Sequence, residues 1–248
     1  VGDPVPKNLD VVNPAYAEYV GGLGKEAGDK LTAEEQRAFI EGLVESAGYE
    51  KNANDVYQKG NTVLKFTFTI AGQETDHPAY AAMLHAKEIL NESGFQVEVK
   101  TDANALKKLS EGSLTVWAAA WGSTIDPDMY QVYHKDSSAT SVKNWGYQAI
   151  LQNNGGEYDE ENYILDELSE YIEKARKTNK QSDRIYYYDK ALTLVMQLAI
   201  ELPTYQRNDL FAYNANKLDS STLTSKENLS PYKGLTSELW NVSLIVEK

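Results

Sequence analysis

Alternating apolar and polar residues in the middle of the chain predict a β-strand followed by a helix. Between residues 62 and 71, apolar side chains occupy every second position, at Leu64, Phe66, Phe68 and Ile70. This period of two is typical of a strand with one apolar face. Residues 78–93 carry apolar side chains at helical spacing and are followed by Gly94, which predicts a helix that ends there.

The pattern then repeats and leads to a third strand. Apolar residues again take alternate positions, at Phe95, Val97 and Val99. Asp102 can cap a short helix that runs to Gly112. The uncharged stretch Leu114–Ala120, with Trp117 near its centre, suits a strand that is buried on both faces. Strands that alternate with helices in this way build a parallel sheet covered by helices.

Further helices are predicted on either side of this region. Thr32–Glu35 is a capping box that opens a helix. Two amphipathic helices are expected over 160–177 and 182–201, and Pro203 stops the second. The apolar positions at helical spacing in the second are Ile185, Tyr188, Leu192, Val195 and Ala199. A last strand is expected over 204–213.

Composition and charge narrow the classes of partner. The 248 residues include 24 Lys plus Arg against 37 Asp plus Glu, a formal net charge of -13. Such a surface repels phosphates, so we expect no nucleic-acid partner. The chain has no cysteine, which excludes disulfides and thiolate metal sites. We expect no membrane span, since no apolar run reaches the ~20 residues that cross a bilayer.

The motifs of metal and cofactor sites are missing from the sequence. His77, His85 and His134 do not form the His-Glu-x-x-His pattern of a zinc site. The sequence also lacks a glycine-rich phosphate loop and a Gly-x-Ser-x-Gly turn. We therefore expect neither a metal nor a cofactor.

The candidate ligand site is the loop after the third strand. Trp121 stands at the carboxyl end of that strand, and Gly122 breaks the regular structure after it. Ligands of open α/β sheets bind outside the carboxyl ends of the strands. The sequence therefore predicts a binding edge that contains Trp121, Gly122, Ser123 and Thr124.

Two acidic residues stand at the predicted start of the next helix. Asp126 can cap this helix, Pro127 suits its first turn, and Asp128 is favoured near the positive end of the helix dipole. Either carboxylate can also meet a charged group of a ligand, although capping is the preferred interpretation for Asp126. The same two residues leave an acid-dependent hydrolase open as an alternative, but no pattern places two acids at a defined separation across a pocket.

Aromatic residues downstream extend the candidate site. Tyr130, Trp145 and Tyr147 can line an adaptable cleft with polar tips. The alternative for each ring is packing in the protein core. A third interpretation of the whole chain, besides a binding module and a hydrolase, is a domain that docks another protein.

An ordered set of short motifs carries a resemblance over nearly the whole chain. The motifs are Pro4-Val5-Pro6, Ala47-Gly48-Tyr49, Trp121-Gly122, Asp126-Pro127-Asp128, Asn144 with Gly146 and Tyr147, Asp166 with Leu168, Asp183-Arg184, and Leu202-Pro203-Thr204-Tyr205. Together they resemble the carboxyl-terminal lobe of the extracellular solute-binding proteins of peptide- and nickel-type ABC importers. Many peptide binders of that family have an Asp three residues after the Trp, and Thr124 holds this position here.

The resemblance implies a type II periplasmic-binding-protein-like lobe, an α/β fold whose central sheet is mixed, mostly parallel and flanked by helices. Residues 1–15 are expected to form an extended segment and residues 16–202 the solute-binding lobe. Residues 203–248 are expected to return toward an amino-terminal lobe that the chain lacks.

The resemblance also implies a function without catalysis. The lobe is expected to help capture an oligopeptide or a similar polar solute and deliver it to the transmembrane subunits of an ABC permease. The implied location is extracytoplasmic in a bacterium, either periplasmic or anchored as a lipoprotein.

Overall fold

The computed structural model describes residues 14–26, 29–72, 78–118, 126–138, 143–153, 156, 158–202, 211–230 and 232–245. The described residues belong to two compact units. The larger unit contains the described residues of 14–118 and 128–202, and the smaller contains 126–127 and those of 211–245.

The larger unit is built from helices and strands in mixed order. Its helices are α1 (Pro14–Gly22), α2 (Ala33–Ser46), α3 (Pro78–Glu92), α4 (Ala105–Ser110), α5 (Tyr130–Tyr133), α6 (Gln148–Gln152), α7 (Asp159–Lys177) and α8 (Gln181–Gln197). Its strands are β1 (Glu50–Lys51), β2 (Tyr57–Lys59), β3 (Thr62–Val63), β4 (Lys65–Ala71), β5 (Gln96–Asp102) and β6 (Val116–Ala118). A distorted π-helical turn, Lys143–Tyr147, leads into α6.

The central sheet has three parallel strands in the order β5-β4-β6. β4 and β5 pair from Lys65 opposite Gln96 to Ala71 opposite Asp102. β6 pairs with the second half of β4, with Thr69 opposite Trp117. The predicted order of strand, helix, strand, helix and strand is confirmed, as is the α/β fold with a parallel sheet flanked by helices.

The middle strand β4 is buried more completely than its sequence pattern predicts. Phe68 and Ile70 are buried, as the apolar alternation requires. Thr69 points to the opposite face and is also buried, at 6% exposure. The second half of β4, from Phe68 to Ile70, is therefore covered on both faces, as is typical of the middle strand of a parallel sheet, whereas Lys65 and Thr67 in its first half are exposed.

The edge strand β5 carries a local cap on part of its outer side. The amide N–H of Val97 donates to Oδ1 of Asn91, at 2.7 Å. The carbonyl oxygen of Val97 accepts a hydrogen bond from Nδ2 of the same side chain, at 3.4 Å. The carboxamide of Asn91, in the last turn of α3, thus takes the place of a neighbouring strand at this residue.

A small antiparallel sheet, in the order β1-β2-β3, is absent from the sequence prediction. The single strand expected over 62–71 divides at Leu64, and its first two residues belong to this sheet. The amide of Leu64 donates to the carbonyl of Tyr57, and the carbonyl of Leu64 accepts from the amide of Gln96. Strands of two or three residues are too short to produce a recognisable alternation.

The predicted capping box is confirmed at the start of α2. The Thr32 hydroxyl accepts from the Glu35 amide at 3.2 Å, and the Glu35 carboxylate accepts from the Thr32 amide at 2.7 Å. Lys25 also pairs with this carboxylate. The hydrogen bond from Lys25, followed by that from the Thr32 amide, lowers the pKa of Glu35.

Helices α7 and α8 pack along each other and confirm the predicted helical pair. Their residues build most of the core, which contains Met129, Trp145, Tyr147, Ile150, Leu165, Leu168, Ile172, Ala191, Leu194 and Val195. The predicted apolar face of α8 is only partly correct, because Ile185 and Leu192 are 60% and 52% exposed. Ala199 has a φ of 50°, and α8 ends before it at Gln197 instead of at 201.

The smaller unit has little regular structure in its described residues. It contains short 3-10 turns over Ser220–Thr222, Lys226–Asn228 and Leu239–Asn241. Isolated bridges join Leu218 to Leu244 and Ser230 to Lys233. Most of the strand predicted over 204–213 lies outside the described residues, and 211–213 are irregular. Among the helices described here, none combines the length and the apolarity that a membrane span needs.

A substitution at Gly94 tests the packing between β2 and the start of β5. Gly94 has a φ of 84°, and a Cβ added there would lie 2.8 Å from Cδ2 of Tyr57. Tyr57 is 1% exposed and donates its backbone N–H to the carbonyl of Gly94 at 2.8 Å, so neither partner can easily move. We expect Gly94→Ala to lower the free energy of unfolding, measured in urea, by about 3 kcal/mol from backbone strain and overpacking.

Gly146→Ala is the matched control for this substitution. Gly146 has nearly the same φ, 86°, but a Cβ there meets no described atom within 4 Å. Only the backbone strain of about 1 kcal/mol then applies. Equal losses of stability in the two variants would contradict the role given to Tyr57.

Candidate functional site

The carboxyl ends of the three parallel strands form one edge of the central sheet. β4 ends at Ala71, β5 at Asp102 and β6 at Ala118. The amide of Gly72 donates to the carbonyl of Asp102 at 3.1 Å, which extends the pairing of β4 and β5 by one bond. This edge is where an open α/β sheet offers a ligand site.

The centre of the predicted site lies outside the described residues. Trp121, Gly122, Ser123 and Thr124 belong to the segment 119–125, which comes directly after β6. Their part in ligand binding stays a prediction. The next described residues, from Asp126 onward, show how the chain continues beyond this segment.

Asp102 supplies a carboxylate at the sheet edge, although its sequence position indicated helix capping. It is the last residue of β5, and the residue before α4 is Asn104. Its Oδ2 lies 2.5 Å from Nζ of Lys108, and its Oδ1 accepts from the amide of Asn104 at 2.8 Å. These two bonds, that from Lys108 first, lower the pKa of Asp102. The edge therefore carries a charge that is already paired.

The predicted capping role of Asp126 is wrong, because the next helix starts later than expected. Helix α5 begins at Tyr130, so Asp126 and Pro127 both precede it. Asp128 makes the local bond instead, and its Oδ1 accepts from the amide of Tyr130 at 3.0 Å. Its Oδ2 lies 3.1 Å from Nε of Arg176 on α7. Asp128 thus attaches the start of α5 to α7.

Tyr130 lies in a stack of three planar groups. The guanidinium carbon of Arg176 is 4.3 Å from the centroid of the Tyr130 ring. The Tyr130 ring also stacks with the imidazole ring of His134, with 4.2 Å between ring centroids and 24° between ring planes. Tyr130 is half-buried. The stack is a second attachment of α5 to α7.

His134 is a buried polar residue, and its sequence pattern raised only the question of metal binding. Its ring is 2% exposed, and Nδ1 accepts from the amide of Asp136 at 3.0 Å. Nε2 lies 3.5 Å from Oε1 of Glu173 and has no hydrogen-bond partner among the described residues. Burial lowers the pKa of His134, although Asp136 and Glu173 oppose this effect. No sequence pattern distinguishes His134 from an exposed histidine such as His85.

Trp145 and Tyr147 lie in the core of the larger unit. They are 8% and 1% exposed. Trp145 contacts Tyr133 edge to face, with ring centroids 5.0 Å apart, and lies 6.5 Å from Trp117 of β6. Burial raises the pKa of Tyr147. This placement favours the alternative considered for both rings, core packing, over direct contact with a ligand.

Tyr133 connects this aromatic group to the end of α8. Its carbonyl oxygen accepts from the Tyr147 hydroxyl at 3.3 Å. Its own hydroxyl donates to Oε2 of Glu201 at 2.6 Å. Burial, followed by the bond to Glu201, raises the pKa of Tyr133, so the phenol stays protonated. The bond fixes residue 201, which lies just before the boundary between the two units at Leu202 and Pro203.

The described residues also form two open grooves. One of about 480 Å³ lies between the turn 135–138 and α6, and Gln148 and Gln152 line it. The other, of about 600 Å³, lies beside β3 and the start of β5, where Asn54 and Gln96 line it. The described part of the chain contains no group of three residues that could hold a metal ion.

A double-mutant cycle tests the bond between Tyr133 and Glu201. We expect Tyr133→Phe to lower the free energy of unfolding by about 1–2 kcal/mol, because it removes a half-buried hydrogen bond to a carboxylate. With Glu201→Gln and the double variant, the cycle should give a coupling of about 1 kcal/mol. Denaturant unfolding supplies all four values.

Tyr163→Phe is the control, because the Tyr163 side chain is 68% exposed. Its stability should change by less than about 0.5 kcal/mol. If the losses of the two single variants simply add in the double variant, the bond does not stabilise the fold.

Comparison with known proteins gives matches to solved structures. Neither a protein-family model nor a curated protein sequence matches the chain. The oligopeptide-binding protein AppA from Bacillus subtilis, in complex with a nonapeptide, aligns with 64% of this chain at 13% identity and a TM-score of 0.51. NikA from Brucella suis, in complex with Fe(III)-EDTA, aligns with 68% at 19% identity and a TM-score of 0.50. NikZ from Campylobacter jejuni, in complex with Ni(L-His), aligns with 66% at 18% identity and a TM-score of 0.49.

The similarity covers a limited part of each of these proteins. The aligned region is 29% of AppA, 32% of NikA and 30% of NikZ. The chain thus spans about a third of the structures that it matches. At this level of identity the similarity establishes the fold, which is the type II periplasmic-binding-protein-like α/β fold predicted from the sequence.

Proposed function

We propose that this chain is one lobe of a solute-binding protein that captures a peptide or a similar polar solute for an ABC permease. The observation that carries the proposal is the edge of the parallel sheet at which β4, β5 and β6 all end, because the segment 119–125 follows β6 in the sequence. The fold is shared with AppA, which was solved with a nonapeptide. Trp121, Gly122, Ser123 and Thr124 of this segment are the proposed contacts.

The described ion pairs favour recognition of a peptide by its main chain. The carboxylate of Asp102 is paired with Lys108, and that of Asp128 with Arg176. Neither ion pair leaves a carboxylate dedicated to the α-ammonium group of a peptide. Main-chain amides and the hydroxyls of Ser123 and Thr124 can bind peptide groups of any sequence, with water filling the side-chain pockets. We therefore propose broad specificity.

The proposed partners follow from the fraction of each similar solved structure that this chain covers. A lobe that corresponds to 29% of AppA supplies one side of a cleft. The other side would come from an amino-terminal lobe, and closure of the two lobes would enclose the solute. The proposed location is extracytoplasmic, either periplasmic or on a lipoprotein anchor, where the transmembrane subunits of the permease receive the solute.

The structure gives less support to a hydrolase that uses Asp126 and Asp128. A general acid or nucleophile has to reach its substrate with a free oxygen. Both oxygens of Asp128 are engaged, one by the Tyr130 amide and the other by Arg176. Docking of another protein stays a prediction, because no contact within the described residues tests it.

Titration of tryptophan fluorescence with short synthetic peptides tests the proposed function. The longest form of the protein, including any second lobe, should show saturable quenching that Trp121→Phe largely removes. Loss of a central aromatic contact should also weaken affinity by about tenfold, or about 1.4 kcal/mol.

Trp240→Phe is the control, because the Trp240 side chain is 80% exposed and lies far from the segment 119–125 in the sequence. This variant should bind the same peptides with unchanged affinity. Two results would count against the proposal: no saturable quenching with any peptide, or equal effects of the two substitutions.

A further inference from the structure

The turn 134–138 closes on the imidazole of His134. We propose that this turn is a proton-operated latch, in which protonation of His134 opens the turn and loosens the attachment of α5 to α7. The latch rests on contacts within the larger unit and does not depend on the proposed binding function.

The direction of one hydrogen bond makes the latch sensitive to protons. Nδ1 of His134 accepts from the amide of Asp136 at 3.0 Å. An imidazole that accepts at Nδ1 is neutral and carries its proton on Nε2. A second proton would occupy Nδ1, so that an N–H of the ring faces the N–H of Asp136. The bond that closes the turn cannot survive this change.

The protonated ring has an alternative partner on α7. Nε2 lies 3.5 Å from Oε1 of Glu173, slightly too far for a well-formed hydrogen bond. A small movement of the ring toward α7 would convert this contact into a charged hydrogen bond. The two protonation states therefore favour two different positions of the same side chain.

Charged groups from two elements face the ring. The turn contributes Lys135 and Asp136, and α7 contributes Glu173. Two further cations belong to α7: Lys177, which is bound to Glu173 at 2.6 Å, and Arg176, which lies over the Tyr130 ring. Burial has the largest effect and lowers the pKa of His134 from its ordinary value of 6.5. The ring is therefore neutral at pH 7. As the pH falls below 6.5, the unfolded chain gains a proton before the folded chain does, so acid destabilises the closed state.

Opening of the turn would also disturb its hydrogen bonds to α5 and α7. The Lys135 amide donates to Oγ of Ser169 on α7 at 3.2 Å, and Oγ of Ser137 donates to the Gln131 carbonyl on α5 at 2.8 Å. The same turn lines the groove of about 480 Å³ beside α6. Movement of His134 would also break its stack with Tyr130. Acid is thus expected to change the shape of this groove and the position of α5.

Two substitutions at position 134 distinguish the effect of losing the hydrogen-bond acceptor of the Asp136 amide from the effect of protonating the imidazole. His134→Asn places a carboxamide oxygen close to the position of Nδ1 and does not titrate, so the turn should stay closed at every pH. His134→Gln places its carboxamide near the position of Nε2 and leaves the Asp136 amide without its acceptor. The turn should therefore be open already at neutral pH.

Amide hydrogen exchange measured by NMR between about pH 8 and about pH 5 tests the latch. In the unmodified protein, the protection factor of Asp136 should fall by about tenfold per pH unit once the pH is below 6.5, the ordinary pKa of histidine, and should level off where the ring is fully protonated. It should be independent of pH in His134→Asn and low throughout in His134→Gln. The imidazole nitrogen shifts report the protonation of His134 in the same samples.

Three results would overturn the latch. One is an Asp136 amide that stays protected while the nitrogen shifts show a protonated ring. Another is a ring that stays neutral until the whole protein unfolds. The third is an equal loss of protection at Leu168 and Ile172 in the core of α7, which would indicate global unfolding. His134→Asn supplies a decisive comparison even if His134→Gln does not fold.

Discussion

The parallel pairing of β4 with β5 and β6 is the constraint on which the larger unit depends. Parallel neighbours cannot be joined by a tight hairpin, so each connection has to cross over the sheet and carries a helix, α3 or α4. The same pairing brings the carboxyl ends of all three strands to one edge. Burial of Phe68, Thr69 and Ile70 on both faces of β4 holds the arrangement in place. The position of the candidate site therefore follows from the topology of the sheet.

Helix α7 holds α5 and the turn after it in position. One face of α7 packs in the core through Leu165, Leu168 and Ile172. Its neighbouring polar residues make the attachments: Ser169 bonds to the turn, Glu173 faces His134, and Arg176 contacts both Asp128 and Tyr130. Asp128 and Tyr130, which the sequence indicated as ligand contacts, thus attach the four-residue helix α5 to α7. So short a helix has little stability of its own and needs such attachments.

Regular patterns predicted the fold well, and contacts distant in sequence explain the differences. The alternation at Phe68 and Ile70, the Thr32 capping box and the amphipathic α7 each express a local rule, and each is confirmed. The break at Leu64 arises from bonds to Tyr57 and Gln96, which no local pattern records. The burial of Trp145 and the partner of His134 depend in the same way on α7 and on the Asp136 turn. The contacts of Trp121 lie outside the described residues and stay a prediction.

The carboxamide of Asn91 has a consequence for the behaviour of the molecule at high concentration. An uncapped edge strand presents unpaired amides and carbonyls that can recruit a strand from another molecule and start aggregation. At Val97 of β5 both groups are already occupied by Asn91, at 2.7 and 3.4 Å. A foreign strand would have to displace this side chain before it could align there. The last turn of α3 thus protects this part of β5 against intermolecular β-assembly without an additional strand.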